Sequence, residues 1–165
     1  MIWYRDWIFY VLTITVIIFD QITKYVVRET IPLYDTLIEV GIFSLVHGQN
    51  TGSAFGLFAG FTNFLIIASL IGLGLILYFF VKQSSANLFV RVSVGLIVGG
   101  AVGNLIDRIK DGFVVDFISV GWWPAFNVAD SAISIGMTVM VLFMIFGNKI
   151  GDGDGDGDGE EKDDS

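Results

Sequence analysis

Residues 58–80 run for 23 positions without a charged side chain, and no other stretch limits so strongly what this chain can fold into. About 20 apolar residues in a helix cross the hydrocarbon core of a bilayer, and inside it every backbone N–H and C=O must be bonded within the segment. A helix is therefore the form such a run takes. Comparable runs lie at about residues 7–27, 88–109 and 126–147. With 54% hydrophobic residues, 16% charged residues and a mean hydropathy of +0.73, the sequence reads as a membrane protein. The expected fold is all-α, with four transmembrane helices and a small β-rich extramembrane segment between helices 1 and 2. Residues 1–150 are read as a single domain, followed by a disordered acidic tail at 151–165.

The first run has a rival reading as a cleaved signal peptide. That reading wants a small-residue cleavage site after a shorter apolar core, and Phe19-Asp20-Gln21 is not one, so an uncleaved span is expected. Residues 29–57 change character, interrupted by Glu29, Pro32, Asp35, Glu39 and by Gly41, Gly48, Asn50, Gly52 and Gly56. Within them, residues 37–46 are β-branched and aromatic enough for one or two strands, and residues 50–56 read as a tight turn into the second span. Residues 82–87 and Lys110-Asp111-Gly112 read as turns, as do residues 119–125, where Trp122 and Trp123 fit an aromatic belt.

Charge and residue inventory exclude several functions. The formal charge is -8, but residues 151–165 hold eight acids against one lysine, so the body is near neutral and offers no basic face to nucleic acid. Asp152, Asp154, Asp156 and Gly157 match the opening of a calcium loop, yet the closing Glu and flanking helices are missing. The Gly-x-Gly-Asp string in the same tail sits in water-soluble sequence and carries no meaning there. There is no cysteine, hence no disulfide, thiolate nucleophile or thiolate metal site. His47 is the single histidine, which removes zinc sites and Ser-His triads and leaves His47 itself as an incidental loop residue. No metal and no cofactor is expected.

What remains is a set of polar groups in apolar surroundings. Asp20, Thr23 and Lys24 share one helical face at the end of the first run, and Asn104, Asp107 and Arg108 share another at the end of the third. Asn127, Asp130, Ser131 and Ser134 form a stripe at the start of the fourth, and Asp116 stands alone in Val114-Val115-Asp116-Phe117. Acids in such settings are costly unless paired, so they are candidates for function. Four spans put both termini on one side, and Lys and Arg divide five to four in favour of that side being cytoplasmic. The three polar faces all fall at the opposite surface. One shared polar site is therefore expected just below the outer surface, roofed by residues 29–57.

With thiol and imidazole chemistry excluded, carboxylates are the remaining catalytic groups. Two aspartates brought close share a proton, one acting as base on a water and the other as acid, and their titration belongs to the pair. The spacing of Asp116 and Asp130 permits such a meeting without requiring it.

The blocks Asp20-Gln21-Ile22-Thr23-Lys24, Asn50-Thr51-Gly52-Ser53-Ala54-Phe55, Gly99-Gly100-Ala101-Val102-Gly103-Asn104-Leu105-Ile106-Asp107-Arg108, Val114-Val115-Asp116-Phe117 and Phe126-Asn127-Val128-Ala129-Asp130 resemble, in order and setting, the motifs of the lipoprotein signal peptidase (signal peptidase II) family. The likeness covers residues 7–147 and excludes the acidic tail; Ser53 stands where the family commonly has Ala. It implies an intramembrane aspartic endopeptidase in a bacterial inner membrane, cutting diacylglyceryl-modified prolipoproteins before the lipidated cysteine. Asp116 and Asp130 then look like its catalytic dyad, and Asp20, Lys24, Asn50, Gly100, Asn104, Asp107, Arg108 and Asn127 match its other motif positions. Asn50, Asn104 and Arg108 are suited to hold substrate carbonyls, and Asn127 to orient Asp130. The pairs Asp20 with Lys24 and Asp107 with Arg108 read equally as structural ion pairs or substrate contacts. The implied partners are lipid-modified prolipoproteins and membrane lipid, the protein acting as a monomer. Two other classes use intramembrane polar groups: an ion-coupled small transporter, which favours inverted repeats not seen here, and a non-catalytic scaffold.

Overall fold

A computed structural model of the chain describes residues 6–52, 60–82 and 87–151. The readings placed on residues 53–59, 83–86 and 152–165 lie outside the described residues: most of the tight turn, the start of the second run, part of the next turn and the acidic tail.

The order of elements is α1 (Trp7–Thr30), β1 (Thr36–Val40), β2 (Phe43–Asn50), α2 (Thr62–Lys82), α3 (Leu88–Asp111), β3 (Val114–Val120), β4 (Trp123–Phe126) and α4 (Val128–Gly151). All four helices are long and apolar enough to cross a membrane, α4 by its portion Val128–Phe146. Local chemistry explains the ends. Helix α1 continues to Thr30, beyond the expected residue 27, and stops because Ile31 precedes Pro32 and is driven into the extended region (φ -119°, ψ 121°). Helix α2 begins at Thr62, after Gly60 has turned the chain at φ +82°. Asn87 caps α3 by accepting from the Phe89 N–H at 3.0 Å, and Gly112 ends it in the left-handed conformation at φ +81°.

Helix α3 is the hub. Its apolar window is 56% buried, against 11–17% for the other three helices, which therefore turn most of their surface outward. Small residues make the central position possible. Gly95, Gly99 and Gly103, four apart, line the side of α3 that faces α1, and a Cβ on Gly103 would lie 2.7 Å from Asp20 Oδ2. On the flank facing α4, a Cβ on Gly100 would collide with the Ala129 carbonyl oxygen.

The strands form one antiparallel sheet in the order β1-β2-β3-β4. The expected β-rich segment between α1 and α2 supplies β1 and β2. The other half comes from residues 114–126, of which 119–125 were expected to be a turn: they form a hairpin reversing at Gly121, φ +55°. An isolated Asp, a Gly and a Pro hide the alternation there. The sheet is joined to the bundle through Val27 of α1 and Ile31 just beyond its end, which pack with Val115 and Phe117 of β3.

Candidate active site

Helix α4 opens with a reciprocal cap. Asn127 Oδ1 accepts from the Asp130 N–H at 2.9 Å, and Asp130 Oδ2 accepts from the Asn127 N–H at 3.2 Å. The cap fixes both backbone and side chain of Asp130 without using its second oxygen, which accepts from Asn104 Nδ2 at 2.8 Å. A further orphan N–H of the same first turn, that of Ala129, donates to Asp20 Oδ1 of α1 at 2.9 Å. Asp20 is thus a cap for a helix over a hundred residues away in sequence.

Asp116, on β3, is 4% exposed and has amide donors on both oxygens. Asn127 Nδ2 donates to Oδ1 at 2.7 Å, and Asn50 Nδ2 donates to Oδ2 at 2.9 Å. Asn127 therefore holds both aspartates, one through its side-chain amino group and one through its cap. Burial, reinforced by the nearby Asp130 charge, pushes the Asp116 carboxyl up to about 6, while the two amide bonds and the more distant Lys24 charge pull the other way.

Asn104 is set by its neighbours. Its Oδ1 accepts from Lys24 Nζ at 2.9 Å and from Asn127 Nδ2 at 3.1 Å. An ammonium can only donate, so the amide oxygen must face Lys24 and the amino group must face Asp130. Lys24 is fully buried between two carboxylates, Asp20 at 2.8 Å and Asp107 at 3.0 Å. The charge chain continues outward through Arg28, 3.5 Å from Asp107 and 2.8 Å from Asp111.

The three polar faces expected to meet do so, with two exceptions. Thr23 Oγ1 donates to carbonyls of its own helix, Phe19 and Asp20, and takes no part. Asp107 and Arg108 do not pair: Asp107 joins Lys24, Arg28 and the Val115 N–H, whereas Arg108 Nη2 donates to the Gly52 carbonyl at 3.2 Å. Consecutive helical residues point about 100° apart, which sends one side chain toward α1 and the other toward the cleft. Asp20, Lys24 and Asp107 are closed off by burial, while Asn50, Asn104, Arg108, Asp116 and Asp130 all line one cavity of about 690 Å³. Ser131 and Ser134 continue that lining along α4, and the opposite wall is apolar, with Leu73 and Ile76 of α2 and Ile97 of α3. The cavity also borders β4 from Trp123 to Phe126, an edge strand of the sheet, and reaches β2 at Asn50. Gly100 supports the site from behind through the contact with Ala129. Among the described residues no cluster of His, Cys, Asp or Glu is arranged to hold a metal.

Sequence reasoning overlooked three participants. Gln21 Nε2 donates to Asp107 Oδ1 at 3.1 Å and to the Gly103 carbonyl at 3.2 Å, stitching α1 to α3; its place beside Asp20 was the available signal. Arg28 gave none beyond its charge. His47, read as an incidental loop residue, is buried on β2, with Nδ1 2.7 Å from the Ile31 carbonyl oxygen.

Comparison with known proteins gives these features a common setting. The model of the family "Signal peptidase (SPase) II" matches residues 12–146. A lipoprotein signal peptidase of Halothermothrix orenii is 37% identical over 144 residues, 87% of this chain and 99% of that one. One from Desulforapulum autotrophicum is 43% identical over 148 residues, 83% of this chain and 90% of the relative. A solved bacterial membrane enzyme superposes with a TM-score of 0.80 at 32% identity, covering 91% of this chain and 94% of that one; a second gives 0.76 at 35%, covering 83% and 92%. The transporter and scaffold readings have no such support. A four-helix membrane protein with one polar cleft at the ends of its helices, this chain belongs to the signal peptidase II family, the proteases that cleave lipoprotein signal peptides.

Proposed function

We propose that the protein is an aspartic endopeptidase in which Asp116 and Asp130 activate one water to cut a prolipoprotein before its diacylglyceryl-modified cysteine. The observation that carries this reading is that the two aspartates, from β3 and α4, line one cavity and share Asn127 as a partner. The ionised carboxylate takes a proton from water as its oxygen bonds to the scissile carbonyl carbon. The protonated partner gives its proton to the carbonyl oxygen. The C–N bond then breaks as the first carboxyl passes the proton it took from water to the amide nitrogen, and the partner recovers a proton from the diol as the new carboxyl group forms. Asn50, Asn104 and Arg108 keep donors aimed into the cleft, where they can hold substrate carbonyls. Asp20, Lys24, Asp107 and Gly100 support the site without touching substrate.

The lipid explains the depth of the site. Acyl chains on the cysteine stay in the bilayer, so the scissile bond lies at its surface, and the cleft has a polar end for the peptide and an apolar wall toward α2 for the rest. An extended peptide can lie along the edge of β4. In this reading the enzyme works as a monomer in a bacterial inner membrane, both termini cytoplasmic and the site near the periplasmic face. The test is cleavage of a purified prolipoprotein supplied with and without the diacylglyceryl group. The lipidated form alone should be cut, yielding a product that begins at the modified cysteine. Equal cleavage of both forms, or of neither, refutes the proposal.

A further inference from the structure

Strand β2 carries Asn50 to Asp116, and the way it does so depends on an irregularity. Before it, Leu45 pairs with Ile118; after it, Gly48 pairs with Asp116, Gln49 with Val115 and Asn50 with Val114. Two residues of β2, Val46 and His47, thus stand opposite the single Phe117, which is a β-bulge. Side chains alternate faces along a strand, so one residue more or less reverses everything beyond it. With the bulge, Asn50 lies on the face of Asp116 and donates to its Oδ2 at 2.9 Å. Without it, His47 would stand opposite Asp116, and Gln49, opposite Val114, would take the place of Asn50.

His47 is tied down at the bulge in three ways. Its N–H donates to the Asp35 carbonyl at 3.1 Å, and its own carbonyl accepts from the Tyr34 N–H at 2.8 Å. Its ring reaches the Ile31 carbonyl at the end of α1 at 2.7 Å, and because a carbonyl only accepts, Nδ1 carries the proton. The residue is 7% exposed, and the ring's Nε2 meets no hydrogen-bond partner among the described residues, so Nδ1 alone anchors the ring.

We infer that His47 is a positioning residue: its Nδ1 bond to the Ile31 carbonyl holds the β2 bulge in place and thereby assigns Asn50, and not Gln49, to Asp116. The inference rests on the proposed function only for its catalytic consequence, since the register itself is a property of the fold. A chain without cysteine allows the register to be read directly. Residues directly opposite in an antiparallel pair are spaced for a disulfide, so Asn50→Cys with Val114→Cys reports the native register and Gln49→Cys with Val114→Cys reports the slipped one. In full-length protein in detergent, oxidation should cross-link the first pair and leave the second open. Adding His47→Leu or His47→Gln should lower the first cross-link about ten-fold and raise the second, whereas His47→Asn, whose amide can donate from the Nδ1 position, should preserve the native pattern. Should His47→Leu fail to fold, His47→Gln decides the matter alone. An unchanged native cross-link in the Gln variant, or its loss in the Asn variant, overturns the inference. Because this readout needs no turnover, it stands even if the peptidase proposal fails. In active protein His47→Leu and His47→Gln should move the alkaline limb of the pH profile upward, as loss of the Asn50 bond removes a group that favours ionised Asp116, while His47→Asn should leave it in place.

Discussion

Asn127 and Asn104 show how few residues hold the candidate dyad. Each presents an amide oxygen to a group that can only donate and an amino group to a carboxylate, so neither can flip without losing bonds at both ends. The Asp116 carboxyl, pushed up to about 6, has a consequence for pH dependence. The raised value belongs to the protonated form, so the shared proton is present below it and lost as pH rises through it. The pH profile of kcat/KM should fall on its alkaline side with a midpoint at about 6, and Asn50→Leu should move that midpoint up; a downward movement would contradict the assignment. Lys24→Met, by removing the buried cation between Asp20 and Asp107, should cost about 3–5 kcal/mol in thermal unfolding, far more than loss of an exposed lysine would. At this scale the sequence was informative about which side chains matter, because polar groups in apolar runs stand out. It was silent about their pairing: nothing in the spacing says that Asp107 turns to Lys24 and Arg108 to Gly52, or that Asp20 caps α4.

The helices were legible as elements because length and apolarity suffice to mark a span. Their closeness was only partly so. Gly99, Gly100 and Gly103 announced tight packing, but not that Gly103 faces α1 while Gly100 faces α4. Gly100→Val should destabilise the protein by about 1–3 kcal/mol in detergent melts by forcing α4 outward. Gly74→Val on α2, where a Cβ meets nothing within 4 Å, should change it by less than about 0.5 kcal/mol. The strands were harder. The β-branched and aromatic content of residues 37–46 announced β1 and the start of β2, whereas β3 and β4 each contain residues that strands usually avoid, Asp116 and Pro124. The exceptions fall where the site is built, since a carboxylate inside a strand is tolerated only when its neighbours are made to receive it.

The described residues form one helix more than half buried, α3, packed among three that expose most of their surface, with a sheet closing the end where the polar groups gather. In the proposed orientation the sheet and the site lie at the periplasmic face, opposite the start of α1 and the end of α4. Trp122 is 83% exposed at the turn between β3 and β4, so in the otherwise cysteine-free chain Trp122→Cys should react with a membrane-impermeant maleimide on intact spheroplasts. Labelling only after lysis would invert the proposed orientation. The central claim, that Asp116 and Asp130 act as one unit, is tested most directly by single-turnover cleavage of lipidated prolipoprotein with Asp116→Asn, Asp130→Asn and the double variant, each shown to be folded. The account predicts that each single variant loses at least about 1,000-fold in rate and that the double variant is no slower than either. A single variant that kept wild-type turnover, or losses that multiplied in the double variant, would contradict it.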